Sequence, residues 1–231
     1  MPGKRTAWSR APQASLGRLK GINMAANIQQ FVTDRGIKAL FHFTREENLA
    51  SILSRGLLRR DQLSSSEGAV FNDDLRLDRT SAICLSVGFP NYKMFYPLRI
   101  NNPDTKWVVI AVMPSVLWML PCAFCTTNAA SNAVTASTLA QRMGLAPFQN
   151  MYGDCSGKIR SSLGIPNDYP TDPQAEVLVL NDIPPAYLMG LATHTREGKD
   201  RILSRHAGTH VIHAPTLFSG RQDFAHWKQA T

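Results

Sequence analysis

Ala39-Leu-Phe-His-Phe-Thr-Arg-Glu-Glu-Asn-Leu49, running on to Gly56, is the stretch whose reading decides the fold. It reads as a short apolar strand that delivers His42, followed at once by a helix. Thr44 is a suitable N-cap and Glu47 lies three residues later, the spacing of a reciprocal capping box. Leu49, Ile52 and Leu53 recur on one helical face. Arg55 occupies the last turn and Gly56 the left-handed C-cap position. The spacing predicts His42 and Thr44 at a strand-to-helix junction, beside free N–H groups and the positive end of a helix dipole. That setting suits an anionic or sugar-phosphate ligand. The same residues also allow His42 to be a plain, hydrogen-bonded strand histidine, and spacing alone leaves both readings open.

Outward from this junction, Ile28, Phe31 and Val32 mark a helix over residues 24–35, ended by Gly36. Residues 82–87 read as a buried strand stopped by Gly88 and Pro90. Residues 91–96 have apolar positions at helical spacing. Residues 107–113 form the strongest strand, and Pro114 starts a short helix over 115–120. Residues 122–134, rich in Thr, Asn, Ala and Ser, read as a loop lining a cleft, and 138–143 as helical. Residues 147–173 carry many Gly and Pro, and a connection of that length inside a domain is usually functional or mobile. It ends in a strand over 176–180, with further short strands expected near 187–192 and 209–212. Many short strands with few long helices predict an α+β fold on largely antiparallel sheets. Regular βαβ alternation, a Gly-x-Gly-x-x-Gly turn and a phosphate loop are all missing, which argues against a doubly wound nucleotide-binding sheet.

The net charge of +8 and pI near 9.6 favour a polyanionic partner. The first twenty residues hold Lys4, Arg5, Arg10, Arg18 and Lys20 and no acid. Residues 1–22 are therefore expected to be a basic, disordered leader, and 23–231 a single catalytic domain. The 44% hydrophobic content is enough to build a core without staples. Cys84, Cys122, Cys125 and Cys155 are too scattered for a disulfide framework. Cys122 and Cys125 have the spacing of half a zinc site, but no second half is evident, so buried thiols are favoured over metal. No apolar run is long enough to span a membrane.

Gln174-Ala-Glu176 places a carboxylate on the first residue of a buried strand, directly after the Pro/Gly-rich connection. In an extended chain Gln174 and Glu176 point the same way. Taken alone, Glu176 is better read as a strand-entry residue facing water.

Taken together, Phe41-His42-Phe43-Thr44, Asn48-Leu49, Ile52-Leu53, Gly56-Leu57-Leu58, Met94-Phe95-Tyr96 and Gln174-Ala-Glu176 resemble the DarT family of toxin ADP-ribosyltransferases. The likeness runs from about residue 39 to 192. It implies an ADP-ribosyltransferase-like fold of mostly antiparallel split sheets with flanking helices. It implies NAD as co-substrate, a base of single-stranded DNA as acceptor, and a macrodomain antitoxin as partner in a bacterial cytoplasm, with no membrane association. By the same resemblance Glu176 is the catalytic glutamate. His42, Phe43, Thr44, Asn48 and Tyr96 hold NAD, and Arg76 (with Arg79 as rival) completes the site. Gln174, Tyr152 and Tyr169 are the candidates for contact with the acceptor base. Two alternatives stay open: transfer to protein or RNA, and a non-catalytic basic nucleic-acid-binding module.

The chemistry agrees with these residue types. Cleaving the nicotinamide–ribose bond makes an oxocarbenium-like sugar, which a carboxylate stabilises. The same carboxylate can take the proton from an attacking base nitrogen. A guanidinium grips a pyrophosphate bidentately. Unstacking is cheapest for a single-stranded base, and aromatic side chains offer it a stacking face.

Overall fold

In the computed structural model the described residues are 22–63 and 81–228. They run in chain order α1 (Ile22–Arg35), β1 (Leu40–Arg45), α2 (Leu49–Arg55), β2 (Ile83–Val87), α3 (Tyr92–Asn101), β3 (Trp107–Val112), α4 (Val116–Met119) and β4 (Cys122–Cys125). After these come α5 (Asn132–Thr135), α6 (Leu145–Asn150), β5 (Glu176–Val179), β6 (Leu188–Thr193), α7 (Arg196–Arg205) and β7 (Val211–His213). The seven strands form a sheet in the order β4-β5-β2-β1-β3-β6-β7. All pairings are antiparallel except β6 with β7, which are parallel and joined by α7. The expected α+β architecture is the one that forms.

The centre of the sheet explains the strongest strand signal. β3 lies between β1 and β6, and Val108, Val109, Ile110, Ala111 and Val112 are all at most 1% exposed. A strand covered on both faces needs an unbroken apolar run, here rich in β-branched residues. On one face, Leu40, Val108, Ile110, Val112, Leu85 and Val177 join residues of α1, α2, α4 and α6 in the main core. On the other face, two separate clusters cover the two ends of the sheet. Phe95 of α3 and Phe218 pack over β1 and β3, whereas Ala129 and Val134 pack over β4 and β5. The second face is thus covered by different elements at its two ends, with β2 between them.

Several expectations need correcting. Residues 122–125 are a buried strand, not loop; all four are under 5% exposed because β4 is closed over by core on both sides. Residues on a strand alternate faces, so Cys122 enters the main core and Cys125 the opposite cluster. Two thiols three residues apart on a strand therefore face away from each other and do not chelate. The capping box does not form, because β1 continues through Arg45 and the helix begins with a 3-10 turn, Glu46–Asn48, whose N-cap is Arg45. Its first turn carries Glu46 and Glu47, which offset the positive dipole end that was expected to draw an anion. Glu46 is instead the buried member, gripped by Arg201 Nε and Nη2 at 2.9 and 2.7 Å and by Arg205 at 3.4 Å. These contacts tie the turn after β1 to α7, a helix that the sequence reading did not anticipate. Among the described residues no helix is long and apolar enough to cross a membrane.

Candidate active site

The sheet is split at His42. The β1–β2 ladder consists of two pairs, Leu40↔Val87 and Phe41↔Ser86, although β1 runs on to Arg45 and β2 begins at Ile83. On its other edge β1 pairs with β3 over its whole length. From His42 onward β1 therefore stays with β3 and leaves β2, which stays with β5. In place of the next ladder bond, His42 Nδ1 lies 3.0 Å from the Cys84 carbonyl oxygen of β2. Backbone carbonyls in a sheet lie roughly in its plane. The imidazole thus takes up the Cys84 carbonyl at the point where the β1–β2 pairing ends.

That contact sets the chemistry of the ring. A carbonyl oxygen only accepts, so Nδ1 carries the proton and donates it. Burial lowers the His42 pKa, against the smaller raising effect of the Cys84 hydrogen bond. The ring is therefore neutral near pH 7, and its Nε2 is an acceptor. A neutral acceptor suits a hydroxyl donor such as that of a ribose.

Thr44 and Asn48 complete this side. Thr44 follows His42 by two residues on the strand and is 3% exposed, with Asn48 Nδ2 donating to its Oγ1 at 2.9 Å. The structure thus brings His42, Thr44 and Asn48 together. It does not bring Phe43 with them. Strand alternation turns Phe43 to the opposite face, where its ring stacks on Phe95 at 4.4 Å and 15°. Phe43 is a packing residue here.

Glu176 opens β5 and is 7% exposed. Its Oε2 accepts from the Ala129 N–H at 2.8 Å. The residue paired across from it is Cys125. One pair beyond Leu85↔Val177, Glu176 stands level with Ser86, which in turn pairs with Phe41. Glu176 and His42 are thus two strands apart, at least about 9.5 Å between backbones, and one residue out of level. By alternation Glu176 shares its face with Ser86 and Phe41, whereas Leu40 and Thr44 point the other way. By the same alternation His42 starts on the face of Leu40 and Thr44, and its Nδ1 turns toward β2 to reach the Cys84 carbonyl.

The remaining sequence candidates are dispersed. Tyr96 is 54% exposed on α3, one residue beyond the buried Phe95. Gln174 does not share an extended run with Glu176. Its N–H donates to Asp172 Oδ1, and the Ala175 N–H to the Asp172 carbonyl, so the chain turns just before the strand. Tyr152 is 4% exposed, enclosed by Phe31, Phe148 and the Arg35 guanidinium 4.3 Å above its ring. It has no free face for a base. Tyr169 is half-buried against Phe89 and over Gly88. With a φ of +72°, Gly88 turns the chain out of β2, and a Cβ there would lie 2.6 Å from the Tyr169 ring. Arg76 and Arg79 lie outside the described residues.

One site neighbour escaped the sequence reading. Arg142 is 9% exposed; its Nη1 lies 3.2 Å from Cys125 Sγ and its Nε 3.4 Å from the Thr138 carbonyl. Cys125 is the cross-strand partner of Glu176, so a guanidinium sits one side chain away from the candidate carboxylate. No local pattern announces it, because Arg142 stands in a short 3-10 turn and its partner Cys125 lies 17 residues upstream.

The comparisons with known proteins bear on this geometry. Residues 41–219 match a family model described as DarT, ssDNA thymidine ADP-ribosyltransferase. Among solved structures, the chain is similar to Thermosipho africanus DarTG in complex with ADP-ribose. There the identity is 17% and the TM-score 0.55, over 78% of this chain and 51% of that one. The chain thus spans about half the length of the Thermosipho protein. Thermus sp. 2.9 DarT in complex with NAD+ aligns at 16% identity and TM-score 0.48, over 79% and 98% of the two chains. The same protein in complex with ADP-ribosylated ssDNA gives 13% and 0.49, over 80% and 97%. No curated protein matches the chain.

Proposed function

This chain belongs to the DarT family, and from that premise we propose that it transfers ADP-ribose from NAD to a base of single-stranded DNA, thymidine being the base named for the family. The observation that carries the reading is the split at His42, with a neutral imidazole in the gap and a carboxylate two strands away. A neutral acceptor and a carboxylate on strands two apart are the residue types suited to a dinucleotide that develops positive charge at one sugar.

In this reading His42 Nε2 accepts a hydroxyl of the ribose, and Thr44 with Asn48 lines the same wall. Glu176 faces the ribose that loses nicotinamide. Its Ala129 hydrogen bond orients the carboxylate, which in this reading stabilises the sugar and takes the proton leaving the attacking base. Tyr96 is assigned to the nicotinamide end, Tyr169 and Gln174 to the acceptor base. Arg76, with Arg79 as rival, is assigned to the pyrophosphate. The basic charge draws the strand electrostatically. A base adduct would be toxic, so a macrodomain partner that removes it is expected, with the reaction in the bacterial cytoplasm where the DNA is.

The test is to incubate the protein with NAD and oligonucleotides covering all four bases, and to look for a mass gain of one ADP-ribose unit. Modification confined to thymidine-containing strands is expected. Unmodified oligonucleotides throughout would overturn the reading. Labelled NAD found only on protein or RNA would redirect it to another acceptor. Salt-sensitive DNA binding without NAD turnover would leave a non-catalytic module.

A further inference from the structure

Beyond residue 219, where the family match ends, the chain makes a buried polar cluster that the proposed reaction leaves unused. Arg221 and Asp223 are each 2% exposed. Arg221 Nε donates to Asp223 Oδ1, and Nη2 to Oδ2, both at 2.6 Å. The Trp227 indole N–H donates to the same Oδ2 at 2.7 Å. The remaining reach of the guanidinium goes to backbone. Nη1 donates to the Pro170 carbonyl at 2.8 Å and Nη2 to the Thr171 carbonyl at 2.7 Å. Beside it, Gln222 donates to the Gly164 carbonyl.

The gripped segment leads straight into Glu176. Residues 170–173 and 175 are buried. They were expected to be part of a mobile loop, yet the chain here is held at nearly every residue. Arg160 donates to the carbonyls of Pro166, Asn167 and Tyr169 and to Thr171 Oγ1. The Thr171 N–H donates to the Met151 carbonyl, and Asp172 takes the N–H groups of Gln174 and Ala175. On its far side the C-terminal segment reaches α3, where Lys93 Nζ donates to the Trp227 carbonyl at 3.3 Å. It therefore joins the helix that covers β1 and β3 to the arch that delivers β5, across the two halves of the split sheet.

We propose that the Arg221–Asp223 pair is a positioning device for Glu176: it fixes the arch at residues 170–175, and so the depth at which the carboxylate enters the cleft. This rests on the transfer reaction proposed above. A buried ion pair is a poor choice for stability alone, since apolar residues of like volume serve as well or better. What apolar residues cannot do is hold two consecutive carbonyls. A guanidinium bound by one carboxylate on one edge and two carbonyls on the other does so with its geometry fixed.

Arg221→Lys tests this, because an ammonium keeps the charge opposite Asp223 but cannot span the carboxylate and both carbonyls. Trp227→Phe is the milder companion, removing one donor to Asp223 while keeping the packing. At a temperature where melting curves show each variant folded, Arg221→Lys is expected to lower kcat about tenfold or more, as misplaced catalytic groups do. The KM for NAD should stay within about threefold, because the His42 wall is untouched. Trp227→Phe should fall between the two. Amide exchange gives a readout independent of turnover. Protection of the Thr171, Gln174 and Ala175 amides should drop in Arg221→Lys while β3 stays protected. Wild-type turnover judges the proposed reaction, and the variants judge the clasp. A folded Arg221→Lys protein with unchanged exchange at these amides overturns the clasp, whether or not the wild type is active. So does a loss of kcat that merely tracks the unfolded fraction.

Discussion

His42→Asn separates the two jobs the structure gives this residue. Asparagine Nδ2–H can take the place of imidazole Nδ1–H and keep the bond to the Cys84 carbonyl. It does not supply the Nε2 acceptor, and it does not titrate. Burial holds the folded His42 pKa below its ordinary 6.5. Between the folded and unfolded values the unfolded chain binds more protons, so stability rises with pH through that window. The protein should be most stable above pH 6.5 and weaken on acidification below it. The slope has a ceiling of about 1.4 kcal/mol per pH unit for one group. His42→Asn should remove that share of the slope while leaving stability at pH 7.5 within about 1 kcal/mol. His42→Ala should cost about 1–3 kcal/mol at pH 7.5, because the Cys84 carbonyl loses its partner. Urea unfolding followed by tryptophan fluorescence from pH 5 to 8 measures all three proteins. Burial also lowers the His194 pKa, but that contribution is common to both proteins and cancels in the difference. Identical pH slopes in wild type and His42→Asn would refute the buried neutral imidazole. NAD affinity, measured by calorimetry, should fall in His42→Asn although the fold is intact. Undiminished affinity would remove Nε2 from the ribose.

Glu176→Gln keeps an oxygen for the Ala129 N–H but no proton acceptor, so transfer should fall about 10²–10⁴-fold, with a melting temperature close to wild type; retained turnover on a thymidine oligonucleotide would release Glu176 from its role. Phe43→Ala should lower stability by about 2–4 kcal/mol through the lost Phe95 stack, yet barely change NAD affinity by calorimetry, whereas a large affinity loss in folded protein would return Phe43 to the cofactor wall. Glu46→Gln should cost about 2 kcal/mol at neutral pH by weakening the charged bonds to Arg201. The Arg201 hydrogen bond lowers the Glu46 pKa below its ordinary 4.5, so that stabilisation is present above 4.5 and lost as pH falls through the lowered folded value. The denaturation curves of Glu46→Gln and wild type should therefore converge in acid; a gap that persists there would argue against the ion pair.

Local pattern was enough for what local forces control. The unbroken run from Trp107 to Val112 needed only its β-branched residues to be read as a doubly covered strand. The period of Ile28, Phe31 and Val32 likewise placed α1, and the apolar run after Glu176 placed β5. The order of the short motifs around His42, Asn48 and Glu176 carried the family, because each motif is contiguous. Reading failed where a residue's neighbours come from elsewhere in the chain. Thr44 looked like a cap, but pairing with β3 kept it in the strand. Residues 122–125 looked polar and loose from their setting, but closure against β5 made them sheet. Phe43 and Tyr152 looked available for ligands until α3 and α1 closed over them.

Sequence by itself therefore determined the element types, the mostly antiparallel class, the family, and the two side chains on which the proposed chemistry rests. Only tertiary structure decided that the sheet parts at His42, that the ring bridging the gap is neutral, and that the chain before Glu176 is a clamped arch rather than a free loop. The reason is physical: helix and strand preference follow from residues a few positions apart, whereas the tautomer of His42 depends on a carbonyl 42 residues away and the hold on the arch depends on a guanidinium about 50 residues downstream.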